Sequence, residues 1–167
     1  MRIYLIGFMG CGKSSLGKRL AKRLNYPFFD IDTETEKKAG QDVQAIFDTH
    51  GELFFRRLER EVLLGITGHE HAVIATGGGT PCHEDNMDFM NANGITVYMK
   101  MAPQSLAYRL EYAQKKRPLI KGKKGADLLT LIHDKLVERE PVYMRSHCII
   151  KGESAKPDQI ISLVFGL

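Results

Sequence analysis

Long apolar runs are missing from this sequence of 167 residues, although 43% of its residues are hydrophobic. No stretch approaches the roughly 20 consecutive apolar residues of a membrane-spanning helix. The apolar stretch near the amino terminus runs only from Ile3 to Met9, and Lys13 follows it without a small-residue cleavage pattern. We therefore expect a buried first strand rather than a secretory signal, and no membrane partner. A chain of this size is predicted to form one domain over residues 1–167.

Cysteine is scarce as well. The three cysteines, Cys11, Cys82 and Cys148, cannot all pair, and none has the Cys-x-x-Cys spacing of a metal site. This usage favours a reducing, cytoplasmic compartment. The segment His69-Glu70-His71 lacks the spacing of a helical zinc pair, and it is predicted to be a solvated turn before a strand.

Positive charge is largely confined to one segment. The whole chain carries a net charge of +4, and residues 115–124, KKRPLIKGKK, contain six positive side chains and no acid, which leaves −2 for the rest. Such a local patch suits a small anionic ligand better than a nucleic acid. Residues 113–125 also contain no aromatic side chain on which a base could stack. We therefore expect no nucleic-acid partner.

Strand-like segments alternate with amphipathic helical segments along the chain. Strands are predicted at 2–6, 27–32, 71–76, 94–101 and 147–152. Helices are predicted over 14–25, 33–64 with breaks at Gly40 and Gly51, 103–113, 126–146 with a break or kink near Pro141, and 156–167. This alternation predicts an α/β fold of three layers, α/β/α, around a central five-stranded parallel sheet. Ligands of such sheets bind at the carboxyl ends of the strands.

The segment GFMGCGKSS, residues 7–15, lies between the first strand and the first helix. Gly7, Gly12, Lys13 and Ser14 satisfy the pattern G-x-x-x-x-G-K-[ST] of a phosphate-binding loop, or P-loop. The backbone N–H groups of such a loop point at phosphate oxygens, the lysine reaches the β- and γ-phosphates, and the serine ligates Mg²⁺. The motif predicts a bound nucleoside triphosphate with Mg²⁺ and leaves the phosphate acceptor open.

Two acids follow the second predicted strand. Asp30 and Asp32 are separated by one residue, so on an extended chain they would share one face. Phosphoryl transfer uses one carboxylate near Mg²⁺ and another near the acceptor hydroxyl. The alternative is that both are helix-start residues, with Asp32 or Thr33 as the cap.

Three arginines suit an anionic acceptor. Arg56 has Glu59 three residues later on the same helix face, Arg117 lies in the basic segment, and Arg139 precedes Glu140. The planar guanidinium fits carboxylate and phosphate groups. Taken singly, each such arginine is more often a solvated surface charge or a salt-bridge partner, so the hypothesis requires that they lie together.

Three consecutive glycines follow the third predicted strand in TGGG, residues 76–79. Glycines in series cost chain entropy, and a strand end that contains them often lets the backbone approach another group closely. A plain loop is the alternative interpretation.

Together these motifs resemble those of one family, the shikimate kinases, which have the nucleoside-monophosphate-kinase-like P-loop fold. The resemblance covers essentially the whole chain, in the order GFMGCGKSS, FFDID, FFRRLE, IATGGG, RPL and REPVY. The set F-R-x-x-E, T-G-G-G and D-x-D is more specific than the phosphate loop alone. The resemblance implies transfer of the ATP γ-phosphate to the 3-hydroxyl of shikimate, giving shikimate 3-phosphate and ADP, on the route to chorismate and the aromatic amino acids.

The resemblance also implies roles for individual residues on the acceptor side. Lys13, Asp32 and Arg117 would be catalytic, with Asp32 binding the shikimate hydroxyls as the candidate base. Arg56 and Arg139 would hold the shikimate carboxylate, with Glu59 positioning Arg56. Further backbone contacts to the acceptor would come from Gly77, Gly78 and Gly79.

On the nucleotide side, the resemblance implies that Ser14 and Asp30 hold Mg²⁺ and that Arg109 packs on adenine. The residues implied to bind ATP are Gly10, Cys11, Gly12, Lys13, Ser14, Ser15, Arg109, Arg117 and Pro157. Residues about 113–125 would form a mobile lid, and residues about 32–64 an acceptor-binding helical region. A monomer is expected.

Other interpretations stay open at the level of sequence. The acceptor could be another small hydroxy acid such as gluconate, since the three arginines fit either acid. The chain could also be a nucleotide-dependent binding module, although AKPD at 155–158 lacks the asparagine of the guanine signature N-K-x-D. Cys11 is either an inert small side chain or a thiol whose pKa is lowered near the helix N-terminus, in which case its oxidation would block ATP.

Overall fold

The computed structural model describes residues 1–113 and 118–166. Within them, five parallel strands form the predicted sheet, and their order across it is β2-β3-β1-β4-β5. The strands are β1 (Arg2–Ile6), β2 (Phe28–Asp30), β3 (Ala72–Ala75), β4 (Ile95–Lys100) and β5 (Cys148–Lys151). Residues 3–6, 72–75 and 96–99 are buried, which is the pattern of parallel strands covered on both faces.

Helices flank the sheet and complete the predicted three layers. Helix α1 packs against β3 and α7, α2 packs against α3, and α5 packs against α6. Their bounds are α1 (Lys13–Leu24), α2 (Ile31–Ala39), α3 (Val43–Gly65), α4 (Asn86–Asn93), α5 (Pro103–Glu111), α6 (Gly125–Tyr143) and α7 (Pro157–Phe165).

The register of the sheet aligns the strand ends that carry the motifs. Ala75 of β3 pairs with both Leu5 of β1 and Asp30 of β2. The phosphate loop after β1, the acids after β2 and the glycines after β3 therefore start from the same edge. This alignment places segments that are distant in sequence around one cleft.

The second strand is shorter than predicted, and the two acids do not share an extended face. The Asp30 side chain accepts a hydrogen bond from Thr33 N and caps α2, so the helix begins at Ile31. Asp32 consequently lies in the first helical turn. The alternative, that both acids lie at a helix start, is therefore correct, although the cap is Asp30 and not Asp32 or Thr33.

The helical region 32–64 has both predicted breaks. Helix α2 ends at Gly40, and Gly51 has non-helical angles of φ 80° and ψ 172° inside α3. Residues other than glycine rarely adopt such a positive φ, so glycine suits this kink. The residues around it form a small apolar cluster apart from the main core: Val43, Ile46 and Phe55, with Ala39 and Phe47 packed against them.

Two helical details differ from the sequence prediction. Helix α4 was not predicted, because its few apolar residues, such as Met87 and Met90, give too short a pattern to recognise. Helix α6 continues through Pro141 to Tyr143, so the proline does not break it. The predicted lid, residues 113–125, falls partly outside the described residues, because these omit 114–117.

Among residues 1–113 and 118–166, no helix is both long and apolar enough to cross a membrane. The same residues contain no cluster of three or more histidine, cysteine or acidic side chains that could hold a metal ion. His71 Nδ1 lies 2.6 Å from the amino-terminal nitrogen, and the His69 ring packs 4.7 Å from that of Phe29. His71 therefore contacts the residue before β1, and His69 contacts the middle of β2.

Candidate active site

The phosphate loop curls around the amine of Lys13. Gly12 has a φ of 95°, a left-handed conformation that favours glycine, immediately before α1. The largely buried Lys13 Nζ donates to the Gly7 carbonyl at 2.7 Å and to the Phe8 carbonyl at 2.9 Å. The loop thus holds a cation at the N-terminus of a helix, a combination that attracts phosphate.

Ser14 and Asp30 meet at the opening of this loop. The Ser14 hydroxyl donates to Asp30 Oδ2, while Asp30 Oδ1 caps α2. Hydroxyl and carboxylate oxygens are the hard ligands that Mg²⁺ prefers. These two side chains are therefore chemically suited to the predicted cation.

Arg109 of α5 lies against the backbone of the phosphate loop. Its Nη1 donates to the Cys11 carbonyl at 3.4 Å. The Cys11 side chain is only 1% exposed, and its Sγ lies 3.7 Å from Lys13 Nζ. Pro157 opens α7 after β5, the strand next to β4.

The phosphate loop borders a cavity, the nucleotide cavity. It is lined by Met9, Gly10, Gly12, Lys13, Ser14, Ser15, Asp30, Asp32, Thr76, Gly77 and Gly78.

A second cavity, the acceptor cavity, lies beside this nucleotide cavity. Its volume is about 220 Å³, below the roughly 300–1,000 Å³ of pockets for drug-sized ligands, so it suits a small molecule. Its apolar wall includes Met9, Val43, Phe47 and Phe55, and its polar lining residues are Asp32, Glu52, Arg56, Glu59 and Arg139. A cavity that combines apolar and cationic side chains fits a ring with one anionic end.

Arg56 is fixed by two carboxylates of its own helix. Its Nη1 donates to Glu59 Oε2 at 2.9 Å, while Nε and Nη2 reach Glu52 Oε1 at 3.4 and 3.3 Å. Burial opposes the charge of Arg56, but Glu59 and Glu52 outweigh that effect and raise the pKa of the guanidinium. Glu59 is completely buried, and this burial raises the pKa of its carboxyl despite the nearby Arg56.

Arg139 reaches the cavity from the opposite side, on α6. Its side chain is 8% exposed, and its Nη1 has no hydrogen-bond acceptor among the described residues. A buried cationic donor without a partner costs free energy that an anionic ligand would recover. Tyr143, one turn later, is completely buried, and its hydroxyl donates to the Gly78 carbonyl at 2.5 Å. Burial strongly raises the pKa of this phenol.

The three glycines after β3 pack directly against these groups. A Cβ on Gly79 would lie 2.3 Å from Arg56 Nη2, and one on Gly77 would lie 2.7 Å from Glu59 Oε1. A Cβ on Gly78 would lie 3.3 Å from Arg139 Nη1. The close backbone approach predicted for TGGG is confirmed, because side chains here would displace the acceptor-cavity residues.

The two cavities adjoin. Met9, Asp32, Gly77 and Gly78 line both of them. Asp32 therefore contributes a carboxylate where the nucleotide cavity meets the acceptor cavity. A group transferred from one ligand to the other would pass this residue.

The structure brings together most of the predicted site residues. Lys13, Asp32, Arg56 and Arg139 line one or both cavities. Arg117 lies outside the described residues. Sequence reasoning missed the apolar wall, Glu52 and Tyr143. Glu52 lies four residues before Arg56 and Tyr143 lies four residues after Arg139, so helical spacing could have indicated both side chains.

Comparisons with known proteins agree with this geometry. The family model described as shikimate kinase matches residues 9–165. A shikimate kinase of Bacteroides thetaiotaomicron is 41% identical over 153 residues, which is 92% of this chain and 87% of that protein.

Solved structures give the same result. The crystal structure of a shikimate kinase from Bacteroides thetaiotaomicron has a TM-score of 0.93 at 37% identity, covering 100% of this chain and 99% of the other. A shikimate kinase from Acinetobacter baumannii, solved in complex with shikimate, has a TM-score of 0.90 at 33% identity, covering 99% and 93%. The chain therefore belongs to the shikimate kinase family.

Proposed function

We propose that this protein transfers the γ-phosphate of ATP to the 3-hydroxyl of shikimate, giving shikimate 3-phosphate and ADP. Family membership supports an ATP-dependent kinase of the route to chorismate and the aromatic amino acids. The single observation that carries the proposal is the pair of adjoining cavities, one built on a phosphate loop and one lined by Arg56 and the buried Arg139.

The acceptor carboxylate orients the substrate. Arg139 offers a buried, unpartnered Nη1, and Arg56 offers its Nε and Nη2 edge once the exposed Glu52 moves away. Phe47 and Phe55 cover the ring. This arrangement turns the hydroxyl end of the substrate toward Asp32, where the two cavities meet.

Catalysis then depends mainly on positioning and on charge. Asp32 orients the 3-hydroxyl and receives its proton as the phosphate transfers. Lys13 leaves the loop carbonyls and stabilises the charge on the β- and γ-phosphates. A hydroxyl held in line with the γ-phosphate reacts as an intramolecular group would, which accounts for a large part of the rate.

Ser14 and Asp30 would hold Mg²⁺ through hydroxyl and carboxylate oxygens, directly or through water. When bound, Mg²⁺ neutralises charge on the triphosphate. The direct contact between these side chains keeps both oxygens on the nucleotide side of the cleft.

Several further assignments stay proposals. Arg109 and Pro157 border adenine, residues 113–125 close as a lid that excludes water, and Arg117 meets the transferring phosphate. Gly77, Gly78 and Gly79 contact the acceptor through their backbone. We further propose a single-domain, monomeric, cytoplasmic enzyme.

ADP release from Mg·ATP tests the function. The purified protein is assayed alone and with shikimate, quinate or gluconate, and the phosphorylated product is identified by mass spectrometry. Strong stimulation by shikimate alone supports the proposal. Stimulation by gluconate would change the acceptor, and no stimulation by any of the three would favour a nucleotide-dependent binding module.

A further inference from the structure

We propose that Thr80 is a positioning residue of the acceptor cavity, whose hydroxyl holds one oxygen of Glu59 so that only the other is left for Arg56. This inference rests on the proposed function. It concerns how Arg56 is presented to the substrate, and Thr80 itself does not line either cavity.

The Glu59 carboxylate is divided between two donors. The Thr80 hydroxyl donates to Oε1 at 2.5 Å, and Arg56 Nη1 donates to Oε2 at 2.9 Å. Thr80 and Glu59 are both completely buried. No solvent competes for these oxygens, so the threonine decides which way the carboxylate turns.

Thr80 is itself held by a chain of buried and charged groups. Its N–H donates to the Gly77 carbonyl at 3.2 Å, closing the glycine turn. The completely buried Asn86 donates to the Thr80 carbonyl at 2.8 Å and accepts a hydrogen bond from Arg60. Arg60 in turn pairs with Glu84 and Asp85 at 3.0 and 2.5 Å. The hydroxyl is thus presented from a fixed backbone, and β-branching further limits its rotation.

Without this hydroxyl, Glu59 is free to rotate and give both oxygens to Arg56. Arginine and carboxylate readily form two parallel hydrogen bonds. If Arg56 forms two such hydrogen bonds with Glu59, a second guanidinium N–H points at Glu59, and one N–H fewer points into the acceptor cavity. When Glu59 gives only one oxygen to Arg56, the Nε and Nη2 donors are left for the substrate. In the structure these two donors reach Glu52 Oε1, a carboxylate oxygen of an exposed side chain, at 3.4 and 3.3 Å.

The crowding around Gly77 supports the same division. A Cβ at this position would lie 2.7 Å from Glu59 Oε1, 2.8 Å from Thr80 Oγ1 and 3.0 Å from Asp32 Oδ1. The threonine hydroxyl therefore packs where carboxylates from α2 and α3 converge. Its hydrogen bond stabilises the negative charge of Glu59 there.

The test compares Thr80→Ala with Thr80→Ser, because these two variants differ only in the hydroxyl. If the turned guanidinium loses one hydrogen bond to the shikimate carboxylate, affinity falls by about one order of magnitude, so we expect Thr80→Ala to raise the KM for shikimate roughly tenfold. The KM for ATP should change less than about twofold, and Thr80→Ser should stay near wild type.

A matched control and a double mutant separate positioning from a purely structural role. Thr96→Val removes the hydroxyl of another completely buried threonine, near the amino-terminal end of β4, and should lower the melting temperature without changing either KM. In an Arg56→Lys background, the lysine has no planar guanidinium that Glu59 could orient. Adding Thr80→Ala to this background should therefore change the KM for shikimate less than about twofold.

The outcomes are distinct. If Thr80→Ala leaves the KM for shikimate within about twofold of wild type, raises both KM values alike, or matches Thr80→Ser, the inference is wrong. An undiminished effect in the Arg56→Lys background also overturns it. Failure of the proposed function shows itself separately, as wild-type protein that shikimate does not stimulate.

Discussion

The nucleotide cavity and the acceptor cavity lie side by side, but the chain builds them differently. The nucleotide cavity is built largely on one continuous segment, residues 7–15, whose backbone surrounds Lys13, and residues that follow β2 and β3 complete its lining. The acceptor cavity gathers side chains from α2, α3 and α6 and the backbone of the glycine turn, which together span more than 100 residues of sequence. A local backbone motif recognises a group that many proteins bind, whereas the distant side chains recognise one acceptor.

This difference predicts that damage to the two cavities can be separated. The largest effect is expected for Lys13→Ala. Loss of a buried charge aimed at the transferring phosphate should lower kcat by roughly 10²–10³-fold, while shikimate binding, measured by calorimetry, should persist. Lys18→Ala, which alters an exposed lysine of the same helix, is the control. Loss of shikimate binding in Lys13→Ala would contradict the separation.

Arg139→Ala should weaken shikimate binding and leave the nucleotide cavity intact, which is the opposite of the pattern expected for Lys13→Ala. Removing one member of a buried charge pair costs about 2–5 kcal/mol, so we expect the KM for shikimate to rise at least roughly 30-fold with little change in the KM for ATP. Arg145→Ala removes an exposed arginine paired with Asp88 and should be neutral in both. Equal losses for the two substrates would show that Arg139 supports the whole cleft.

Gly79→Ala sharpens the comparison at the backbone. The φ of −89° suits alanine, so the effect comes only from a Cβ 2.3 Å from Arg56 Nη2. Overpacking of this kind costs about 1–3 kcal/mol, and we expect roughly a tenfold higher KM for shikimate by steady-state kinetics. Gly65→Ala, with open space around its Cβ, is the matched control. An unchanged KM would mean that Arg56 can move away from the added Cβ without weakening shikimate binding.

Glu52→Gln should have the smallest effect and the opposite sign. Glu52 is 65% exposed and competes with an incoming carboxylate for Arg56. Exposed ion pairs contribute less than about 1 kcal/mol, so shikimate should bind about twofold to threefold more tightly in a calorimetric titration at low salt. Glu61→Gln changes another exposed acid of α3 and serves as the control. Weaker binding would show that Glu52 orients Arg56 instead of competing for it.

The same contrast explains what could be predicted from the sequence. The five strands and the P-loop were predictable, because apolar strands and the G-x-x-x-x-G-K-S pattern are local signals. The sequence predicted both acids of the D-x-D pair on one strand. In the structure Asp30 is the N-cap of α2, so Asp32 lies in the first turn of that helix. Helix α4 was missed because its apolar pattern is short.

The acceptor cavity was predictable only through family motifs. Nothing in the spacing of Arg56 and Arg139 indicates that they face one cavity, because the sheet register and the packing of α3 and α6 bring them together. Thr80 has no signal at all in sequence, since its importance depends on a buried carboxylate 21 residues away. Contacts of that kind follow from tertiary packing, which local patterns do not encode.

The most direct test is a crystal structure of this protein with shikimate and a non-hydrolysable ATP analogue. The account predicts the carboxylate between Arg56 and Arg139, the 3-hydroxyl at Asp32, and the triphosphate around Lys13. A carboxylate bound elsewhere, or a ring turned so that another hydroxyl faces the γ-phosphate, would contradict the division between the two cavities.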